Sequence, residues 1–251
     1  MGQRIALISA VQEELAEILQ LMPDEHQVAL GGRTYWQGHL QGHEVVAVLS
    51  GIGKVAAATT ATLLLERFAP QQVIFTGVAG GLLPGVEVGD IVVGSAFVQH
   101  DFDASPLYPR HELPGYGRSR LLPDLALAQV LHLAAKDAVT WLPKLLDADV
   151  LLAMGLHAPS VHRGEIATGD RFIHCPVDGA ALRAAVPEAL AVDMESAAVA
   201  QVCHDYGVPF AAVRTIWDRA DSQAPIDFPR FLQQVARHYS ARIVRKTLNL
   251  L

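Results

Sequence analysis

Four acidic residues in this sequence lie just beyond short apolar runs of the kind that form buried strands. Glu13 and Glu14 follow Arg4–Ser9, Glu195 follows residues 190–192, and Asp218 follows residues 210–216. A glycine-rich stretch, Gly77-Val78-Ala79-Gly80-Gly81, follows residues 73–76 and reads as a turn. Ligands of open α/β sheets collect outside the carboxyl ends of the strands, so these positions fall where a site is expected. Carboxylates there can give or take a proton, or accept hydrogen bonds from a ligand. Glycines let the backbone approach a small molecule closely. Taken singly, each residue has a plainer reading. A glutamate at a helix N-terminus complements the macrodipole, and an aspartate favours turns. The joint placement makes a site the better reading.

The elements that must hold these residues alternate along the chain. Arg4–Ser9 is a buried strand, and a helical pattern from Val11 puts Leu15, Ile18, Leu19 and Met22 on one face before Pro23 stops it. Arg33–Leu40 and residues 44–49, parted by Gln41-Gly42-His43, read as a β-hairpin. Residues 54–65 carry no charge after Lys54; a helix apolar nearly all round lies inside the molecule or under a subunit contact. Residues 90–98 form a strand, 99–117 a long loop with three prolines, and 123–138 a helix, with a poorly marked stretch to Ser160. Loops of such length are often functional. Then strand and helix alternate: Val161–Thr168, 177–185, 190–192, 195–206 closed by Gly207, 210–216, and a final helix over 228–248. This order predicts an α/β fold, a single domain over residues 1–251 with a central, largely parallel mixed sheet flanked by helices.

Several other motifs fail on inspection. Gly51-Ile52-Gly53-Lys54-Val55 lacks the first glycine and the Ser/Thr of a phosphate-binding loop. Ser50 lacks the flanking glycine of a nucleophile elbow. His100-Asp101-Phe102-Asp103 has no second ligand cluster and reads as a solvated loop rather than a metal site. His157, His162 and His174 are scattered, and the glycine stretch misses the dinucleotide spacing.

Composition narrows the partners. The 251 residues are 51% apolar and 18% charged, with a formal net charge of −7, against the basic surplus that phosphate backbones require, so nucleic acid is not an expected partner. Cys175 and Cys203 alone cannot build a disulfide framework or a four-ligand zinc site. Neither a secretory signal nor a myristoylation site is expected from the first residues, and no apolar run reaches a membrane span. A soluble, cytoplasmic protein is expected.

Five collinear segments carry a family resemblance. Val192-Asp193-Met194-Glu195-Ser196-Ala197-Ala198 resembles the V-E-M-E-x-A-A segment of the 5′-methylthioadenosine/S-adenosylhomocysteine nucleosidases, in the nucleoside phosphorylase/nucleosidase superfamily. Ser50 to Ala57 is similar to S-G-I-G-K-V-x-A, Thr76 to Leu82 to T-G-S-A-G-G-L, Gly169 to Ile173 to G-D-x-F-I, and Arg214 to Asp221 to R-x-I-S-D-x-A-D. Ala10 to Glu14 sits where the family has A-M-x-E-E. Residues 105–160 match poorly. The resemblance implies hydrolysis of the N-glycosidic bond of a 5′-modified adenosine by a homodimer with no cofactor and no metal. It implies roles as well. Asp218 is the acid at adenine N7, Glu14 activates water, and Glu195 holds the ribose hydroxyls. Phe172 stacks on adenine, and the backbone at Ile173 reads its edge. Met194, Ile52 and Phe228 line the ribose and 5′ pocket, Val78 lies near the ribose, and Arg214 orients the site.

The chemistry is self-consistent. Breaking a C–N glycosidic bond builds positive charge on the ribose and negative charge on the base, which calls for an acid at one and an activated water at the other. Such an acid must keep its proton near neutral pH, while Glu14 must stay ionised. A phosphorylase of the same superfamily would want cations beside the first strand, where Glu13 and Glu14 would repel phosphate. Val78 and Trp217 depart from the family pattern, replacing a serine and a small residue. Trp217 points either into the core or into the base pocket, and with Val78 it suggests one alternative, a sister enzyme with another 5′ group or base; a separate reading is a non-catalytic protein kept for nucleoside binding or storage.

Overall fold

A computed structural model describes residues 2–156, 158–219 and 228–251. His157, and Ala220 and Asp221 of the last motif, lie outside the described residues.

The chain adopts the expected α/β architecture around one nine-stranded mixed sheet, ordered β2-β3-β4-β1-β5-β8-β7-β6-β9, with β9 returning to pair with β5. β1 (Arg4–Ser9) lies between β4 (His43–Leu49) and β5 (Gln72–Gly81), parallel to both. β3 (Arg33–Leu40) makes the expected hairpin with β4, and β2 (His26–Leu30) adds an antiparallel edge to β3 that the sequence pattern did not announce. β6 (Ile91–Gln99), β7 (Val161–Thr168) and β8 (Ala189–Asp193) run parallel to one another. β8 meets the end of β5 antiparallel, and β9 (Phe210–Asp218) runs parallel to β5 and antiparallel to β6. Strands β5, β8, β7, β6 and β9 therefore close into a ring.

Alternate strand residues enter separate cores on the two faces. Ile5 and Leu7 of β1 pack with α1 (Gln12–Gln20), α3 (Leu125–Trp141) and α8 (Arg237–Leu248). Ala6 and Ile8 pack with α2 (Lys54–Phe68) and α6 (Ser196–Tyr206). Because both faces are covered, β1 reads as a continuous apolar run rather than an alternation. Asp124 caps α3, its side chain accepting from the Leu127 N–H at 2.8 Å, and Gly207 ends α6 in the left-handed conformation at φ 64°. The poorly marked stretch before Ser160 holds the short α4 (Ala148–Ala153), and α5 (Pro176–Ala185) precedes β8.

Two expectations change. The stretch over residues 77–81 is not a turn: β5 continues through it to Gly81. Its glycines make room instead, since a Cβ at Gly77 would stand 2.9 Å from Arg214 Nη1. The final helix is not uniform: α7 (Phe228–Phe231) passes through a π-helical turn, Leu232–Ala236, before α8. Such turns recur beside functional sites.

Candidate active site

A cavity of about 190 Å³ opens at the carboxyl ends of β5, β8 and β9. Ile52, Val78, Phe172, Ile173, Met194, Glu195, Asp218 and Phe228, all anticipated from sequence, line it. Glu14 and Arg214 are not in its wall. Both are fully buried, and Ala10 and Val11 stand at the wall where β1 leads into α1.

Glu14 occupies the first turn of α1 and is fully buried. Ser240 Oγ of α8 donates to its Oε1 at 2.6 Å, and Oε2 has no partner. Burial pushes the carboxyl up to about 7, partly countered by the Ser240 hydroxyl and the Arg214 charge. The expectation of a firmly ionised Glu14 is thus revised.

Glu195 precedes α6 and is also buried; its Oε1 accepts from the Gly53 N–H at 3.0 Å. Burial first, then the nearby Asp193 charge, push it up to about 7. Gly53 sits at φ 89°, and a Cβ there would come within 2.9 Å of Asp170 Oδ1, so the position calls for glycine on two counts. Asp170 accepts from the Lys54 N–H at 2.7 Å, while Asp101 pairs with Lys54 Nζ at 2.5 Å and accepts from the Asp170 N–H at 2.8 Å. The His100–Asp103 segment therefore pins the start of α2 to the loop that carries Phe172.

Beneath the cavity, Asp193 gathers donors. Arg214 Nε reaches its Oδ2 at 2.8 Å, Thr168 Oγ1 reaches its Oδ1 at 2.6 Å, and Ser196 Oγ makes a short hydrogen bond to Oδ2. Arg214 also lies over the Phe75 ring, 3.9 Å from its centroid, and its charge acts on both Glu14 and Glu195. One buried cation thus serves three carboxylates.

Trp217 does both things left open by the sequence: it lines the cavity and packs against the hydrophobic core. Ala79 of β5 pairs with Ile216 and the next residue, Gly80, with Asp218, so Trp217 is an extra residue in β9. This bulge breaks the alternation of the strand and lets the adjacent Trp217 and Asp218 both face the cavity. Asp193 and Ser240 were not anticipated as site residues. Asp193 stood inside a quoted motif, but Ser240 carries no signal beyond being a polar residue on a buried helix face.

This fold and cavity define a class. Residues 4–249 match the family model of the phosphorylase superfamily. The chain is 38% identical to the 5′-methylthioadenosine/S-adenosylhomocysteine nucleosidase of Anoxybacillus flavithermus, covering 98% of this chain and 97% of the relative. It is 39% identical to the nucleosidase of the same name from Geobacillus thermodenitrificans, again covering 98% and 97%. The crystal structure of the Neisseria meningitidis nucleosidase in complex with methylthio-immucillin-A is similar with a TM-score of 0.84 and 35% identity, over 99% of this chain and 100% of that one. The chain belongs to the 5′-methylthioadenosine/S-adenosylhomocysteine nucleosidase family, within that superfamily.

Proposed function

We propose that the protein hydrolyses the N-glycosidic bond of 5′-methylthioadenosine and S-adenosylhomocysteine, releasing adenine with water as the acceptor. The observation that carries this reading is the grouping of acids. Asp218 and Glu195 face one cavity, and Glu14 lies buried in the first turn of α1, just past Val11 in the cavity wall. In this reading Asp218 protonates adenine N7 as the bond breaks, so the base leaves neutral. Glu14 takes the proton of the attacking water, and Glu195 accepts the ribose hydroxyls, strengthening its hold as charge grows on the sugar. Phe172 offers its half-exposed ring to the base, and the Ile173 backbone offers an amide edge. Ile52, Met194 and Phe228 enclose the ribose and 5′ group, beside Val78. Arg214 fixes the acids from below. Water is favoured over phosphate because Arg214 is already held by Asp193.

We further propose a cytoplasmic homodimer. Ile52, Val55 and Leu107 are 75%, 79% and 83% exposed, and apolar side chains so exposed suit a subunit contact beside the cavity. No helix among the described residues is long and apolar enough to cross a membrane. A monomeric mass at micromolar concentration would overturn the dimer.

The decisive assay measures adenine release from 5′-methylthioadenosine, S-adenosylhomocysteine and other 5′-modified nucleosides, with and without phosphate. Phosphate-independent release, cut roughly 10²- to 10⁴-fold by Asp218→Asn, is expected. Phosphate-dependent release with a ribose-1-phosphate product would make the protein a phosphorylase, and adenine binding without turnover would make it a binding protein.

A further inference from the structure

We propose that Trp217 is a specificity-determining residue that forms, with Phe172, a two-sided aromatic slot for the purine base. The inference rests on the nucleosidase reading only for the identity of the base. The Phe172 and Trp217 rings stand 6.0 Å apart between centroids and are tilted by only 16°. Phe172 lines the cavity and is 52% exposed, and its ring is also stacked on His174 at 5.8 Å and 9°. Trp217 is also in contact with Phe228, at 4.5 Å between centroids and 54°, which braces the indole. The β9 bulge is what aims the indole here, since regular alternation would send Trp217 and Asp218 to opposite faces.

A flat heterocycle in contact with both faces needs roughly 7–8 Å between them. The rings are therefore nearly parallel already and must part by at least about 1 Å to admit a base. A purine, with two fused rings, covers more of an indole than a pyrimidine does, so the slot selects by ring area. It does so without a hydrogen bond. In the proposed reading the 5′ group, toward Met194 and Ile52, is read elsewhere in the cavity. Stacking a base on one aromatic side chain carries an effect of roughly 5- to 150-fold in affinity. The second wall thus adds to what Phe172 alone supplies.

Adenine titration tests this directly. The chain has three tryptophans, so the indole emission of wild type is compared with that of Trp217→Phe. Adenine is expected to quench wild-type emission and to leave Trp217→Phe unquenched. Calorimetry should find adenine bound roughly 5- to 150-fold more weakly by Trp217→Ser, with Trp217→Phe recovering most of the loss. In turnover, Trp217→Ser should raise KM far more than it lowers kcat. Quenching that persists in Trp217→Phe, or wild-type adenine affinity in Trp217→Ser, would overturn the slot, as would hydrolysis at the normal rate with no quenching. If no nucleoside is cleaved but adenine still quenches Trp217, the slot stands and the nucleosidase reading falls. Because Trp217→Phe keeps an aromatic ring in place, it remains informative should Trp217→Ser fold poorly.

Discussion

Replacing Glu14 with glutamine should abolish turnover and, at the same time, change how stability depends on pH. The side chain is completely buried, and its carboxyl rises from an ordinary 4.5 to about 7. A folded-state pKa above the unfolded one means that the native protein binds the extra proton between those two values. Stability from this group is therefore fully present below about 4.5 and lost as pH rises through about 7. Between pH 5 and 8 the loss is on the order of 2–3 kcal/mol, or roughly 5–10 °C in Tm for a chain of this size. Glu14→Gln carries no titrating group there, so its Tm should fall less over the same interval. The comparison is between two slopes, so any fixed cost of seating the amide beside the unpartnered Oε2 position cancels. Thermal unfolding of both proteins at pH 5 to 8, with adenine release measured alongside, is the assay. Parallel Tm profiles would refute the burial argument, and a Glu14→Gln variant that still releases adenine at the wild-type rate would refute the assignment of the base.

Other perturbations follow from the same contacts. Ser240→Ala removes the one hydroxyl donated to Glu14, so the Glu14 pKa should rise further; the acid side of the pH–kcat/KM profile, where rate falls as Glu14 gains a proton, should move to higher pH. Arg214→Met leaves Asp193 buried without its cation, a loss of roughly 3–5 kcal/mol that urea unfolding would register. Gly53→Ala strains a backbone at φ 89° and drives a methyl against Asp170, so the Glu195 contact should be lost, with adenosine-type substrates showing a raised KM while free adenine still binds.

Much of the fold was legible because buried strands are written as apolar runs: β1 and β9 could be placed that way. β2 was not, since its exposed His26 and Gln27 give no apolar alternation. The glycines over residues 77–81 suggested a turn because glycine usually weakens strands. Here they remain in β5, and at Gly77 the Arg214 guanidinium takes the space a side chain would fill. The cavity-lining residues could be anticipated from local segments, but Ser240 could not, because its contact with Glu14 spans 226 positions. The direction of Trp217 was equally hidden. Parity along a strand predicts a face only when the register is regular, and β9 slips by one residue at that point.

The closed ring of β5, β8, β7, β6 and β9 also bears on how the protein stays out of aggregates. Every strand of that ring has a hydrogen-bonded neighbour on both sides, so among the described residues it offers no bare strand to a passing chain. Among the described strands only β2 is bonded on one side alone, at the far end of the sheet. It is five residues long, with His26, Gln27 and Ala29 exposed, a short and polar margin of the sort that discourages edge-to-edge growth. The one place where the sheet could be extended by an alien strand is thus set at the opposite end from the chemistry, and a Val or Ile introduced at Gln27 would be the change that invites it.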